Sequence, residues 1–192
     1  MRPPTGHPKV LLTREWSAER DQEISPGVTI EDGSLVLHGR GPSIVTGQAI
    51  TTESVRDVVI DAEVRADGTA PGEGFGLFCR QSAPGRYVSW RVSTSGMIAI
   101  STMDGTETLL AAGPLASGMV LHAEPGAANR LTVVAAGPAI TFILNLMVVT
   151  SVIVDERYAE GHAGVLLEQR EPTSSPRLAV DWFQVGSILA DV

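Results

Sequence analysis

The stretch Thr141–Gly164, TFILNLMVVTSVIVDERYAEGHAG, decides between a membrane span and a sheet. No charged residue occurs between Arg130 and Asp155, and a spanning helix needs about 20 predominantly apolar residues. Three features oppose a helix. Gly137-Pro138 interrupts the run, Asn145 sits inside it, and β-branched residues dominate it. Strand–turn–strand around Asn145 accounts for all three. The double-apolar character of LNLMVVTSVIV predicts strands covered on both faces, or strands that bury one face and line an apolar cavity with the other.

Outward from this stretch the chain repeats the same grammar. Turn signals recur at Asp32-Gly33, Gly39 to Pro42, Asp67-Gly68, Pro71-Gly72, Pro84-Gly85, Ser95-Gly96, Asp104-Gly105 and Gly137-Pro138. Between them lie short runs with period-two alternation. In VVIDAEVRA (58–66), Val58, Ile60, Ala62, Val64 and Ala66 face one way; Val59, Asp61, Glu63 and Arg65 face the other. RYVSWRV opposes Val88, Trp90 and Val92 to Tyr87, Ser89 and Arg91. Trp90 and Trp182 both fall on apolar faces and are expected in the core. The pattern predicts an all-β, antiparallel sandwich or flattened barrel over residues 27–188. An N-terminal segment (1–26) precedes it and carries the only helix-like pattern, TREWSAERDQEI. That segment is read either as an irregular edge with Trp16 plugging the core or as a lid.

Composition narrows the function classes. The 192 residues suit one domain burying about 70% of its unfolded surface. A net charge of −8 opposes nucleic-acid binding through a basic face. The lone Cys79 alternates with Phe75 and Leu77 and reads as a buried structural thiol. The absence of disulfides and of a signal-like apolar core in MRPPTGHPKVLLTREW leads us to expect a cytoplasmic protein. No membrane contact is expected, and composition says nothing of oligomeric state.

From Val28 onward the order of features resembles the concanavalin-like β-sandwich domains of the 3-keto-disaccharide hydrolase-like family. The resemblance rests on EDGSLVLHG (31–39), VVIDAEVRADG (58–68), GEGFGLFCRQ (72–81), GRYVSWRVSTSG (85–96), NRLTVVAAGPAITFILN (129–145), ERYAEGHAGVLLE (156–168) and LAVDWFQV (178–185). It implies a sandwich that serves enzymes and sugar-binding modules alike. Where that family commonly has an Asn-Gly turn, this chain has Asn145-Leu146-Met147, so the tight turn is expected to be lost. In size and general design the chain is also similar to small cofactor-free β-barrel cyclases that form spirotetramates and spirotetronates by [4+2] cycloaddition.

No G-x-S-x-G elbow, P-loop, Rossmann fingerprint or H-E-x-x-H occurs, and His7, His38, His122 and His162 are scattered singly, so no metal or cofactor is expected. The E-x-D-x-x-E motif of lectin-like glycan hydrolases is absent. Asp61 and Glu63 share a strand face about 6.5–7 Å apart, but Arg65 continues the row and favours an ion-pair ladder. Glu63, Arg65, Arg80, Tyr87, Ser89 and Arg91 are expected to gather on one sheet face with Phe78. Two functions follow. In the first, a cyclase encloses an apolar small-molecule substrate in a chamber shaped by Trp16, Phe78, Tyr87, Trp90 and Met97. Tyr87, Arg91 or Arg80 polarises a substrate carbonyl, and Asp21 with Glu63 latches the lid. In the second, a carbohydrate-binding or glycan-acting concanavalin-like module stacks sugar on Tyr87 or Trp90 and hydrogen-bonds it through Arg91 and Glu63. The first is the leading expectation.

Overall fold

Alternating strands with a buried side must pair and cover that side with a second layer. In the computed structural model, which describes residues 9–14, 16, 25–41, 44–70 and 72–188, they do so as two antiparallel sheets. One sheet holds β1 (Lys9–Arg14), β2 (Val28–Glu31), β3 (Ser34–His38), β5 (Val58–Asp67), β10 (Ala128–Ala136), β11 (Ala139–Leu144), β12 (Met147–Ile153) and β14 (Arg177–Ser187). Its order is β12-β11-β10-β5-β14-β3-β2, with β1 also paired to β14. The other sheet holds β4 (Ile44–Ala49), β6 (Gly74–Ala83), β7 (Arg86–Ser93), β8 (Met97–Asp104), β9 (Thr106–Pro114) and β13 (His162–Gln169), in the order β4-β13-β6-β7-β8-β9.

The uncharged run folds as β11, a turn and β12, so it is sheet, but β12 is not covered on both faces as expected: it is an edge strand with Val148 58% and Ile153 70% exposed. Among the described residues no helix is long and apolar enough to cross a membrane. The turn corrects one expectation. Asn145 and Leu146 have φ of +47° and +70°, and Leu144 pairs with Met147, so the two-residue turn is tight without glycine. Its hydrogen bonds explain why it holds. The Asn145 side chain accepts from the Arg130 N–H at 2.7 Å and donates to the Val120 carbonyl at 2.9 Å.

Among the described residues, buried side chains of both sheets pack together where the chamber was expected. Ile60, Ala62 and Val64 of β5 meet Leu77, Trp90 and Ile100 of the opposite sheet in one buried cluster with Phe142 and Phe183. Trp90 is fully buried, its ring 5.7 Å from that of Phe142. Trp16 joins the same cluster at 7% exposure and therefore fills the core. Thr13 and Arg14 belong to strand β1, which pairs with β14, so these two positions of the helix-like pattern are extended. Asp21, the other expected lid residue, lies outside the described residues. The two sheets remain open at their edges and do not close into a barrel.

Trp182 departs from its expected place. A bulge between Val180 and Trp182 inserts Asp181 into β14, so the alternation slips by one residue and Phe183 and Val185 turn inward instead. Trp182 is left partly exposed beside Glu63, with the Arg130 guanidinium 5.6 Å from its ring centre.

Candidate functional site

The meander β6-β7-β8-β9, with β13 and β4 at its side, puts one polar row on the outer face of the six-stranded sheet. Alternation sends Tyr87, Ser89 and Arg91 of β7 outward while Val88, Trp90 and Val92 enter the core. Arg91 lies at the centre, its side chain only 8% exposed. Nη1 donates to Glu168 Oε2 at 3.0 Å, and Nη2 donates to Glu107 and, at 3.5 Å, to Ser101 Oγ. Arg170 Nε adds a bond to Glu168 Oε1 at 2.9 Å. Arg91 Nε is buried and finds no acceptor among the described residues.

The floor beneath this cluster is low because β6 carries Gly74 and Gly76 where it faces outward. A Cβ on Gly76 would lie 1.9 Å from the Trp90 carbonyl oxygen, and one on Gly74 would press on Arg91 Cβ at 3.1 Å. Farther along, the Phe78 and Tyr87 rings pair at 5.6 Å and 49°. Burial pushes the Tyr87 phenol up, against the pull of the Arg91 charge, so it stays neutral at ordinary pH. Three adjoining cavities of about 440, 370 and 270 Å³ run across this face. The first two share Arg91, Glu107, Glu168 and Arg170; the second and third share Val45, Tyr87 and Leu166. They form one groove.

The structure thus brings together Phe78, Tyr87, Ser89, Arg91 and Met97, and separates the others from them. Glu63 and Arg65 lie on β5, in the opposite sheet, where Arg65 pairs with Asp181 at 2.6 Å. On the same strand Asp61 is held by Arg130 and by Thr132 Oγ1 at 2.8 Å, a ladder far from the groove. Arg80 has φ +57° in an irregular part of β6, is 1% exposed, and donates to the carbonyls of Tyr158 at 3.0 Å and Gly137 at 2.5 Å. It ties the sheets together and presents nothing to the groove. Trp90 and Trp16 are in the core. Cys79 is also buried, and burial raises its thiol to about 12, partly opposed by Arg80. His38, His122 and His162 each have a hydrogen-bond partner: Glu31, the Ala128 carbonyl and the Thr51 carbonyl.

Sequence reasoning missed Glu107, Glu168 and Arg170. Glu107 was within reach of it: the turns at Gly96 and Gly105 set a local meander in which Tyr87 pairs with Met103 and Met103 with Glu107. Glu168 was not, because β13 reaches this sheet by a non-local pairing with β6.

No family model and no curated protein matches the chain. Solved structures do resemble it. A protein of unknown function with a galectin-like fold from Bacillus subtilis superposes with a TM-score of 0.67 at 12% identity, over 93% of this chain and 96% of that one. The carbohydrate-binding module CBM66 from Bacillus subtilis gives 0.55 at 12% identity, over 73% and 81%. The catalytic domain of an endo-1,3-β-glucanase from Thermotoga petrophila gives 0.55 at 8% identity, over 85% and 81%. The fold is therefore a two-sheet, concanavalin- and galectin-like antiparallel β-sandwich. These likenesses, with core side chains packed between the sheets among the described residues, overturn the cyclase expectation and its apolar small-molecule substrate: the similar solved structures include a carbohydrate-binding module and a glucanase.

Proposed function

We propose that the chain is a glycan-binding domain holding an oligosaccharide along the outer groove of its six-stranded sheet. One observation carries this reading: a nearly buried arginine, bridged to two carboxylates, sits in the middle of a long open groove beside an accessible tyrosine ring. Sugar hydroxyls both donate and accept, so neighbouring guanidinium and carboxylate groups suit vicinal hydroxyl pairs, and an aromatic face suits the C–H side of a pyranose. The likeness to a carbohydrate-binding module of similar fold supports the same choice. Binding is favoured over hydrolysis because Glu107 and Glu168 are both engaged by Arg91, whereas glycoside cleavage needs one carboxyl free to protonate the leaving group.

The test is calorimetric titration of a panel of neutral oligosaccharides, laminaritriose among them, into wild type, Arg91→Lys and Tyr87→Ala. Lysine keeps the charge but loses the planar fork, so Arg91→Lys should weaken the best ligand about tenfold or more, in line with about 1.5–3 kcal/mol for hydrogen bonds to charged groups. Tyr87→Ala should weaken it as well. Failure of every oligosaccharide to bind the wild type would sink the reading.

A further inference from the structure

The groove changes character beyond Arg91, and this bears on what the glycan carries. The largest of its three cavities, about 440 Å³, continues from the Arg91–Glu168 cluster towards Met97, Ile98, Ala99, Leu109 and Ala112. Met97 is 46% exposed and Leu109 56%, two large apolar side chains left open to water inside a concavity. Single exposed apolar residues are ordinary, but a group of them lining a cleft marks a binding surface. Past the charged cluster, the one hydroxyl among the described lining residues is that of Ser93. It is already engaged by Ser95 Oγ at 2.7 Å and by the Met97 N–H at 3.2 Å. A pyranose placed there would surrender water from its hydroxyls and gain no partner.

We infer that this trough receives an apolar substituent carried by the sugar, so that the ligand is a glycoconjugate with an alkyl or aryl group at one end. The inference rests on the glycan reading above. The sugar lies over Tyr87 and Arg91, and the substituent runs on through the shared Arg91–Glu107 boundary to cover Met97 and Leu109. The two parts of the groove then match the two parts of the ligand, with burial of the apolar end as the source of added affinity. A volume of about 440 Å³ admits a phenyl ring or a chain of several carbons.

The experiment compares methyl, phenyl and octyl β-D-glucosides and β-D-galactosides, below their micellar concentrations, by saturation-transfer NMR and titration. Wild type is measured beside a Met97→Ser/Leu109→Ser double variant. Both side chains are largely exposed, so folding is not at stake. The readout is the affinity ratio of the phenyl or octyl glycoside to the methyl glycoside of the same sugar. We expect a ratio of at least tenfold in wild type, falling to within twofold in the variant. Octyl sulfobetaine, which has no sugar, should bind at least tenfold more weakly than the octyl glycoside. Equal binding of methyl and longer glycosides, or a ratio that survives the double substitution, overturns the inference and leaves the glycan reading intact. Equal binding of octyl sulfobetaine also overturns it. If neither oligosaccharides nor glycosides bind, both readings fall together.

Discussion

Leu146 occupies the second position of the β11–β12 turn with φ +70° and a side chain 73% exposed. The left-handed region costs a residue with a Cβ about 1–2 kcal/mol, and exposure leaves little packing to offset that. Leu146→Gly should therefore raise stability by about 1 kcal/mol despite the added freedom of the unfolded chain, seen as a higher urea midpoint with an unchanged slope. A lower midpoint would mean that Leu146 makes contacts worth more than its backbone strain. The same turn shows why a dipeptide rule misleads at this scale. Asn-Gly is favoured because glycine avoids strain, yet here the side chain of Asn145 secures the turn by bonding to Arg130 and Val120. Neither partner is adjacent in sequence.

Between elements, the fastening of the loops depends on Glu73. It precedes β6, is fully buried, and its carboxylate accepts from the N–H groups of Ala70, Arg170 and Glu171 and from the Ser174 hydroxyl. This clamps the β5–β6 loop to the β13–β14 loop, which carries Arg170 to the groove. Burial opposes the charge on Glu73, but the Ser174 hydroxyl and then the N–H groups of Ala70, Glu171 and Arg170 outweigh it, and the carboxyl titrates below its usual value. A lowered folded-state value means stability that is present above the unfolded range, about pH 4.3, and lost as pH falls through the folded value. Glu73→Gln should cost about 2 kcal/mol near pH 7, with the gap to wild type closing towards pH 3 in denaturation series. A gap constant with pH would show that the clamp does not depend on charge. The bulge in β14 acts at the same scale, moving Trp182 from the core to the surface by one inserted residue.

At the scale of the molecule, inside and outside carry different jobs. Among the described residues, side chains of both sheets fill the interior, and a groove of three adjoining cavities lies on one outer face. The tryptophans report this division. Trp16 and Trp90 are 7% and 0% exposed, whereas Trp182 is on the outer face of the eight-stranded sheet. Acrylamide should quench one component of the emission, and Trp182→Phe should abolish that component. A quenchable fraction that persists in the variant would mean that the core admits small solutes. Because no tryptophan faces the groove, saccharide binding should leave tryptophan emission nearly unchanged, and calorimetry or NMR is the appropriate probe.

Local pattern was enough for β5 and β7, though not for β14, whose bulge moved Trp182. Alternation in VVIDAEVRA and RYVSWRV identified which side chains enter the core, because a pleated strand turns successive residues to opposite faces whatever its neighbours are. It also placed Tyr87, Ser89 and Arg91 on a common face, and the Asn145 hairpin settled the uncharged run as sheet. Tertiary structure alone decided which sheet each strand joins. Glu63 and Tyr87 sit on like-looking strands yet lie on opposite sides of the sandwich, since strand order follows from long-range pairing and not from spacing in the chain. The same physics brought Glu168 to Arg91 from 77 positions away. A period-two pattern specifies a face; only the packing of two sheets specifies what shares it.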